Sequence, residues 1–207
     1  MKEDWERPFF HEGMRHYQDM TDGRRTAEAI EKHRKHYAFW DDEIEMITQS
    51  RFFFIGSTWE DYVDCNIKSG DPGFVKVVGE NVLEYPEYDG NSMYRTLGNI
   101  RNNPNVGLLF VCFDGKSRRI RVNGKATVLD NEQTLSQHYG AKFVVRIECE
   151  IYPNCPRYLP NLAEGVPSPY IPREGDGTPP PPEWKQRDYI RHDLPKTDPH
   201  RVKREAK

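Results

Sequence analysis

Between Arg51 and Tyr152 the chain is a succession of short apolar or alternating segments separated by tight turns, and this pattern limits the fold more than any other feature. FFFIGS at 52–57 is a continuous apolar run, followed after a polar turn by the alternating YVDCNIK at 62–68, and the two read as a hairpin. Asp71-Pro72-Gly73 and Gly79-Glu80-Asn81 punctuate strands at 74–78 and 82–85. VGLLFVCF at 106–113 and RRIRVNGKATVL at 118–129 pair around Asp114-Gly115, and FVVRIECEIY at 143–152 closes the series. Helices are predicted at about 91–103 and 131–139. Strands this short and numerous, with few helices, predict a mainly β (α+β) fold. Its expected form is a closed antiparallel barrel, because closure removes exposed sheet edges.

Either side of this block the composition changes. Residues 1–50 are polar and read as a helical extension: Thr21 or Asp22 can cap a helix running to about Tyr37, and Asp41 or Asp42 another to about Gln49. HRKH at 33–36 places His33 and His36 on one face of the first of these, read as a solvated face rather than a zinc site. Residues 153–207 carry most of the prolines and end in a charged run. Tyr158, Leu159, Tyr170, Trp184 and Tyr189 make this tail too apolar for a linker, so 156–190 is expected to form a strap beside the entrance of a binding site. The organisation read from the sequence is therefore 1–50, 51–152 and 153–207.

Charge excludes several partners. With 30 Lys+Arg against 33 Asp+Glu the net charge is −3, which gives no global attraction to nucleic acid or an anionic membrane. A mean hydropathy of −0.89 and the lack of a long apolar window argue against a membrane span, and cytoplasmic residence is expected. The four cysteines are far apart and read as reduced, packed thiols, with no metal site expected.

The segment 64–110 concentrates the candidate chemistry. Lys68 ends one strand, while Asn91 and Arg95 open the helix that follows, where free backbone N–H groups and the positive end of the dipole favour an anion. On the later strand, alternation sets Arg119 and Arg121 on one face and Ile120 and Val122 on the other. No Ser-His-Asp or Cys-His grouping can be identified.

KSGDPGF at 68–74, YDGNSMYRTLGNI at 88–100 and NPNVGLLF at 104–110, in this order and spacing, resemble the pyridoxamine 5'-phosphate oxidase-like superfamily of FMN-binding split barrels. FHEGMRHYQD at 10–19 and YPNCPRYLP at 152–160 resemble the opening and closing segments of one bacterial branch. The resemblance implies a six-stranded antiparallel split β-barrel with peripheral helices, a homodimer, and an FMN-dependent oxidoreductase acting on a small molecule through flavin N5. It implies flavin contacts at Asn66, Ile67, Lys68, Tyr85, Pro86, Tyr88, Asn91, Met93, Arg95 and Arg119. Asn66 and Ile67 depart from the branch, which commonly has serine, and tyrosine or proline, there. A flavin carrier without turnover, a haem-binding or haem-degrading relative, and a deazaflavin in place of FMN stay open.

Overall fold

The structure is a computed structural model that describes residues 8–88, 92–113, 118–154, 158–162, 180–198 and 200–203. The chain divides into two units, Met1–Lys35 with Pro167–Lys207, and His36–Val166.

In the first unit, α1 (Glu12–Met20) and α2 (Arg24–Arg34) are held by short polar contacts, among them an Arg24–Asp19 ion pair of 2.6 Å. The described part of the C-terminal tail folds with them. Thr26 donates to the carbonyl of Asp193 at 2.5 Å, the backbone N–H of Lys196 donates to Asp22, and the rings of His33 and Tyr189 lie 4.6 Å apart. Ile190 and Leu194 are fully buried, and Lys185 is ion-paired with Asp198. Much of the expected strap, 163–179, lies outside the described residues.

Helix α2 ends at Arg34, earlier than the predicted Tyr37. In the second unit, His36 has extended backbone, forming an isolated bridge with Ile151, and its ring stacks on Trp40 at 3.9 Å. His33 and His36 are therefore not on one helical face. His36 instead meets Glu43, 2.8 Å away on α3 (Asp41–Gln49), whose carboxylate also accepts the N–H of Trp40.

The sheet of the second unit comprises β1 (Phe52–Trp59), β2 (Tyr62–Ser69), β3 (Lys76–Gly79), β4 (Val82–Glu87), β5 (Asn105–Val111), β6 (Arg119–Leu129) and β7 (Phe143–Asn154). All neighbours are antiparallel, in the order β2-β1-β5-β6-β7-β4-β3. Seven strands, matching the seven segments read from sequence, stand where the family resemblance implied six, and among the described residues the four-residue β3 pairs only with β4. Two helices, α4 (Arg95–Asn102) and α5 (Glu132–Leu135), complete the unit.

The sheet is curled. In a flat sheet β1 and β4, four places apart, would be separated by about 19 Å. The rings of Phe53 on β1 and Tyr85 on β4 are 5.1 Å apart, edge to face. Between them lies the core, where Phe53, Ile55, Leu83, Phe110, Val145, Ile147 and Ile151 are fully buried. Alternation produces it: β1 and β6 bury every second residue, so Ile120 and Val122 point inward and Arg119 and Arg121 outward. Among the described residues no ladder joins β2 to β3, so the curl keeps two edges instead of closing through hydrogen bonds.

Candidate functional site

The curl brings the β2 edge close to β4, and side chains bridge the seam. Lys68 on β2 and Glu87 on β4 stand five places apart in strand order, about 24 Å in a flat sheet. Here the Lys68 Nζ donates to both carboxylate oxygens of Glu87 at 2.7 Å. The alternation of β2 turns Asp64, Asn66 and Lys68 inward and leaves Val63, Cys65 and Ile67 exposed on the other face.

Helix α4 caps this seam, and its sequence RTLGNIRN accounts for its seating. Leu97 and Ile100, one turn apart, are buried in the core. Buried Asn99 donates to Ser57 Oγ on β1 at 3.1 Å, and Asn103 just beyond the helix donates to Thr58 Oγ1 at 2.9 Å. At the other end, Thr96 Oγ1 accepts from Asn66 Nδ2 at 3.3 Å, and Arg95 reaches Asp64 with Nε at 3.1 Å and Nη2 at 2.9 Å. The Arg95 guanidinium also lies 5.1 Å from the centre of the Tyr62 ring. The helix thus grips β1 with its amides and β2 with its first turn.

That first turn is electrostatically positive. It contains no acidic residue, and the N-cap, Tyr94, makes no side-chain capping hydrogen bond. Ser92 and Tyr94 have φ values of 60° and 48°, in the left-handed region that ordinary residues occupy at a cost of about 1–2 kcal/mol each. Two such residues within three positions deliver the chain sharply into α4.

A small cleft of about 90 Å³, partly open to solvent, lies at this junction, lined by β2, β4, the turn and the first residues of α4. Of the residues predicted from sequence, Asn66, Lys68, Tyr88, Met93 and Arg95 line it together. Ile67 does not: it faces outward and is 53% exposed. Tyr85 is fully buried in the core beneath the seam, and its hydroxyl has no hydrogen-bond partner among the described residues. Burial, reinforced by the nearby Glu87, pushes the Tyr85 phenol well above its usual range. Pro86 is buried on β4 opposite Val144, Arg119 lies at the start of β6 opposite Val111 and Asn154, and Asn91 lies outside the described residues.

Sequence reasoning missed the cleft residues Glu87, Ser92, Tyr94, Thr96 and Leu97, and also Asp64, which holds Arg95. Period-two alternation could have found Asp64, two and four residues before Asn66 and Lys68. Nothing local marks Glu87, because its partner comes from a strand it does not pair with.

The donor set suits a phosphate: an ammonium, a guanidinium, the hydroxyls of Ser92 and Thr96, and an uncapped helix start. In the structure each cation is matched by a carboxylate, Lys68 by Glu87 and Arg95 by Asp64.

No family model matches this chain, and no curated protein matches it. Among solved structures it resembles a candidate pyridoxamine 5'-phosphate oxidase from Lactobacillus delbrueckii, at 17% identity and a TM-score of 0.46, covering 57% of this chain and 98% of that one. HupZ of Group A Streptococcus is similar at 15% identity, with a TM-score of 0.42 and coverage of 62% and 98%. An FMN-binding protein from Syntrophomonas wolfei is similar at 10% identity, with a TM-score of 0.42 and coverage of 67% and 92%. Two of these three are named for a pyridoxamine 5'-phosphate oxidase or for FMN binding, and at such identities and TM-scores the activity of this chain is left to be argued from its own residues.

Proposed function

We propose that this protein binds flavin mononucleotide in the cleft between β2, β4 and α4 and acts as an FMN-dependent oxidoreductase on a small molecule. The observation that carries this reading is the convergence of Lys68 and Arg95 on the uncapped, acid-free first turn of α4. Phosphate binding requires fixed donors and positive charge at one point, and the four donor types here come from one strand, β2, and from the start of α4 with the turn before it. Lys68, Arg95, Ser92 and the first-turn amides would hold the phosphate, with Asn66, Tyr88 and Met93 against the ring.

When bound, the flavin supplies hydride and electron transfer, chemistry that asks little of protein side chains beyond placement. The chain's own contribution is to bind, orient and shield. Tyr88, Met93 and Tyr94, each 40–59% exposed, give the cleft an apolar mouth that a planar substrate can cover. Lys68, only 11% exposed, carries a positive charge where negative charge can be stabilised. Homodimerisation, which rests on the motif resemblance, and cytoplasmic residence, which rests on composition, are part of the same proposal.

Titration of flavin-free protein with FMN, followed by flavin fluorescence, tests this. Saturation at one flavin per chain is expected, and the bound flavin should exchange electrons with small donors or acceptors faster than free FMN. Binding without that acceleration would replace the oxidoreductase with a flavin carrier, and absence of binding would overturn both.

A further inference from the structure

The Lys68 ammonium is already occupied. Its Nζ is 2.7 Å from both oxygens of Glu87, an arrangement with the same donor geometry that two oxygens of a bound phosphate would require. Lys68 and Glu87 are 11% and 19% exposed, so water screens the pair weakly. Both residues line the cleft at which α4 begins. Arg95 is the other cation there, and Asp64 occupies it from the β2 side. The formal charges of Lys68, Arg95, Asp64 and Glu87 therefore cancel.

From this we infer that Glu87 is an internal competitor for the anion seat: its carboxylate holds Lys68 across the seam until the phosphate of a ligand displaces it. The inference rests on the cleft being the flavin site proposed above and adds the regulation of that site. Two physical consequences follow. A ligand lacking the phosphate leaves the Lys68–Glu87 contact in place, so the cleft discriminates between phosphorylated and unphosphorylated flavins less than its two cations alone would allow. Displacement also removes a cross-seam tie between β2 and β4, so phosphate binding is coupled to how tightly the two edges approach.

The Asp64–Arg95 pair differs in a way that singles out Glu87. Asp64 is buried beneath the guanidinium and does not line the cleft, and it leaves Arg95 45% exposed, so a ligand can reach Arg95 without displacing Asp64.

The test is Glu87→Gln, which keeps the shape and a hydrogen-bonding oxygen but removes the charge. Flavin-free wild type and variant are titrated with FMN and with riboflavin, which lacks the phosphate. FMN affinity should rise about tenfold in the variant, the lower end of what one charge-assisted contact contributes, and riboflavin affinity should not change. If FMN affinity is unchanged, or both ligands weaken together, Glu87 is only a seam contact and the inference fails. Inorganic phosphate separates this from failure of the flavin reading. Thermal unfolding with and without phosphate should show a larger stabilisation of Glu87→Gln than of wild type, even in a protein that takes no flavin. Equal phosphate effects on the two proteins overturn the competitor role whatever the flavin titrations give.

Discussion

Arg95 is the residue on which the cleft most depends. It begins α4, contacts Asp64 through two nitrogens and lines the cleft. Loss of one charge-assisted contact to phosphate costs about 1.5–3 kcal/mol, so Arg95→Ala should weaken FMN roughly ten- to a hundredfold in a fluorescence titration. Unchanged affinity would remove Arg95 from the site. That Lys68 and Arg95 share one cleft agrees with their reading from strand-end and helix-start position together with the motif resemblance, and their contact with a flavin is part of the proposal. Asp64 and Glu87 were not legible in the sequence, because the need for a counter-charge appears only once the sheet curls β2 toward β4. Tyr85 shows the limit from the other direction: it neighbours cleft residues in sequence, yet its side chain is committed to the core against Phe53.

At the level of strands and helices, turn residues and the apolar or alternating segments between them located every strand of the sheet, with β1 and β6 burying alternate residues. The helices were less legible. Helix α2 stops at Arg34 because the following residues leave for an extended path and His36 bridges Ile151, a tertiary pairing that helix propensity does not register. The β6–β7 pairing supplies a sharper test. A Cβ on Gly124 would come within 2.2 Å of the Ile147 side chain and 3.0 Å of the Glu148 carbonyl oxygen. Gly124→Ala should therefore destabilise the fold by about 1–3 kcal/mol in a urea melt, and a loss near zero would mean that the pair of strands yields easily. On the β4–β7 pair, Glu84 accepts from His138 at 3.1 Å and from Arg146 Nε at 2.7 Å. Burial disfavours the Glu84 carboxylate, but the hydrogen bonds from His138 and Arg146 outweigh it and hold the carboxyl below its usual value. A depressed folded-state value means stability present above the unfolded value of about 4.5 and lost as the pH falls through the folded one. Wild type should lose more stability than Glu84→Gln on acidification below about pH 4.5, and parallel losses in thermal melts would show that Glu84 is not linked to folding.

For the molecule as a whole, the curled antiparallel sheet and its seven segments were legible, and the count of six came from the family resemblance alone. The short β3, read at 74–78 and found at Lys76–Gly79, pairs with β4 alone among the described residues. Among the described residues no helix is long and apolar enough to cross a membrane. A homodimer is expected, and sedimentation should give about twice the chain mass of 24.3 kDa, with flavin sedimenting at that position. A flavin-loaded species at the single-chain mass would contradict it. Thiol chemistry reports on the sheet in the same preparation: burial pushes the Cys149 thiol far up, so in folded protein exposed Cys65 should react with a thiol reagent while Cys149 stays protected until unfolding. The most direct measurement is the absorption spectrum of protein purified from a flavin-replete host, followed by the mass of the released ligand. An oxidised-flavin spectrum with one flavin mononucleotide released per chain is the expected result. Protein that carries no flavin and shows no saturable spectral change when FMN is added would contradict the assignment of the cleft.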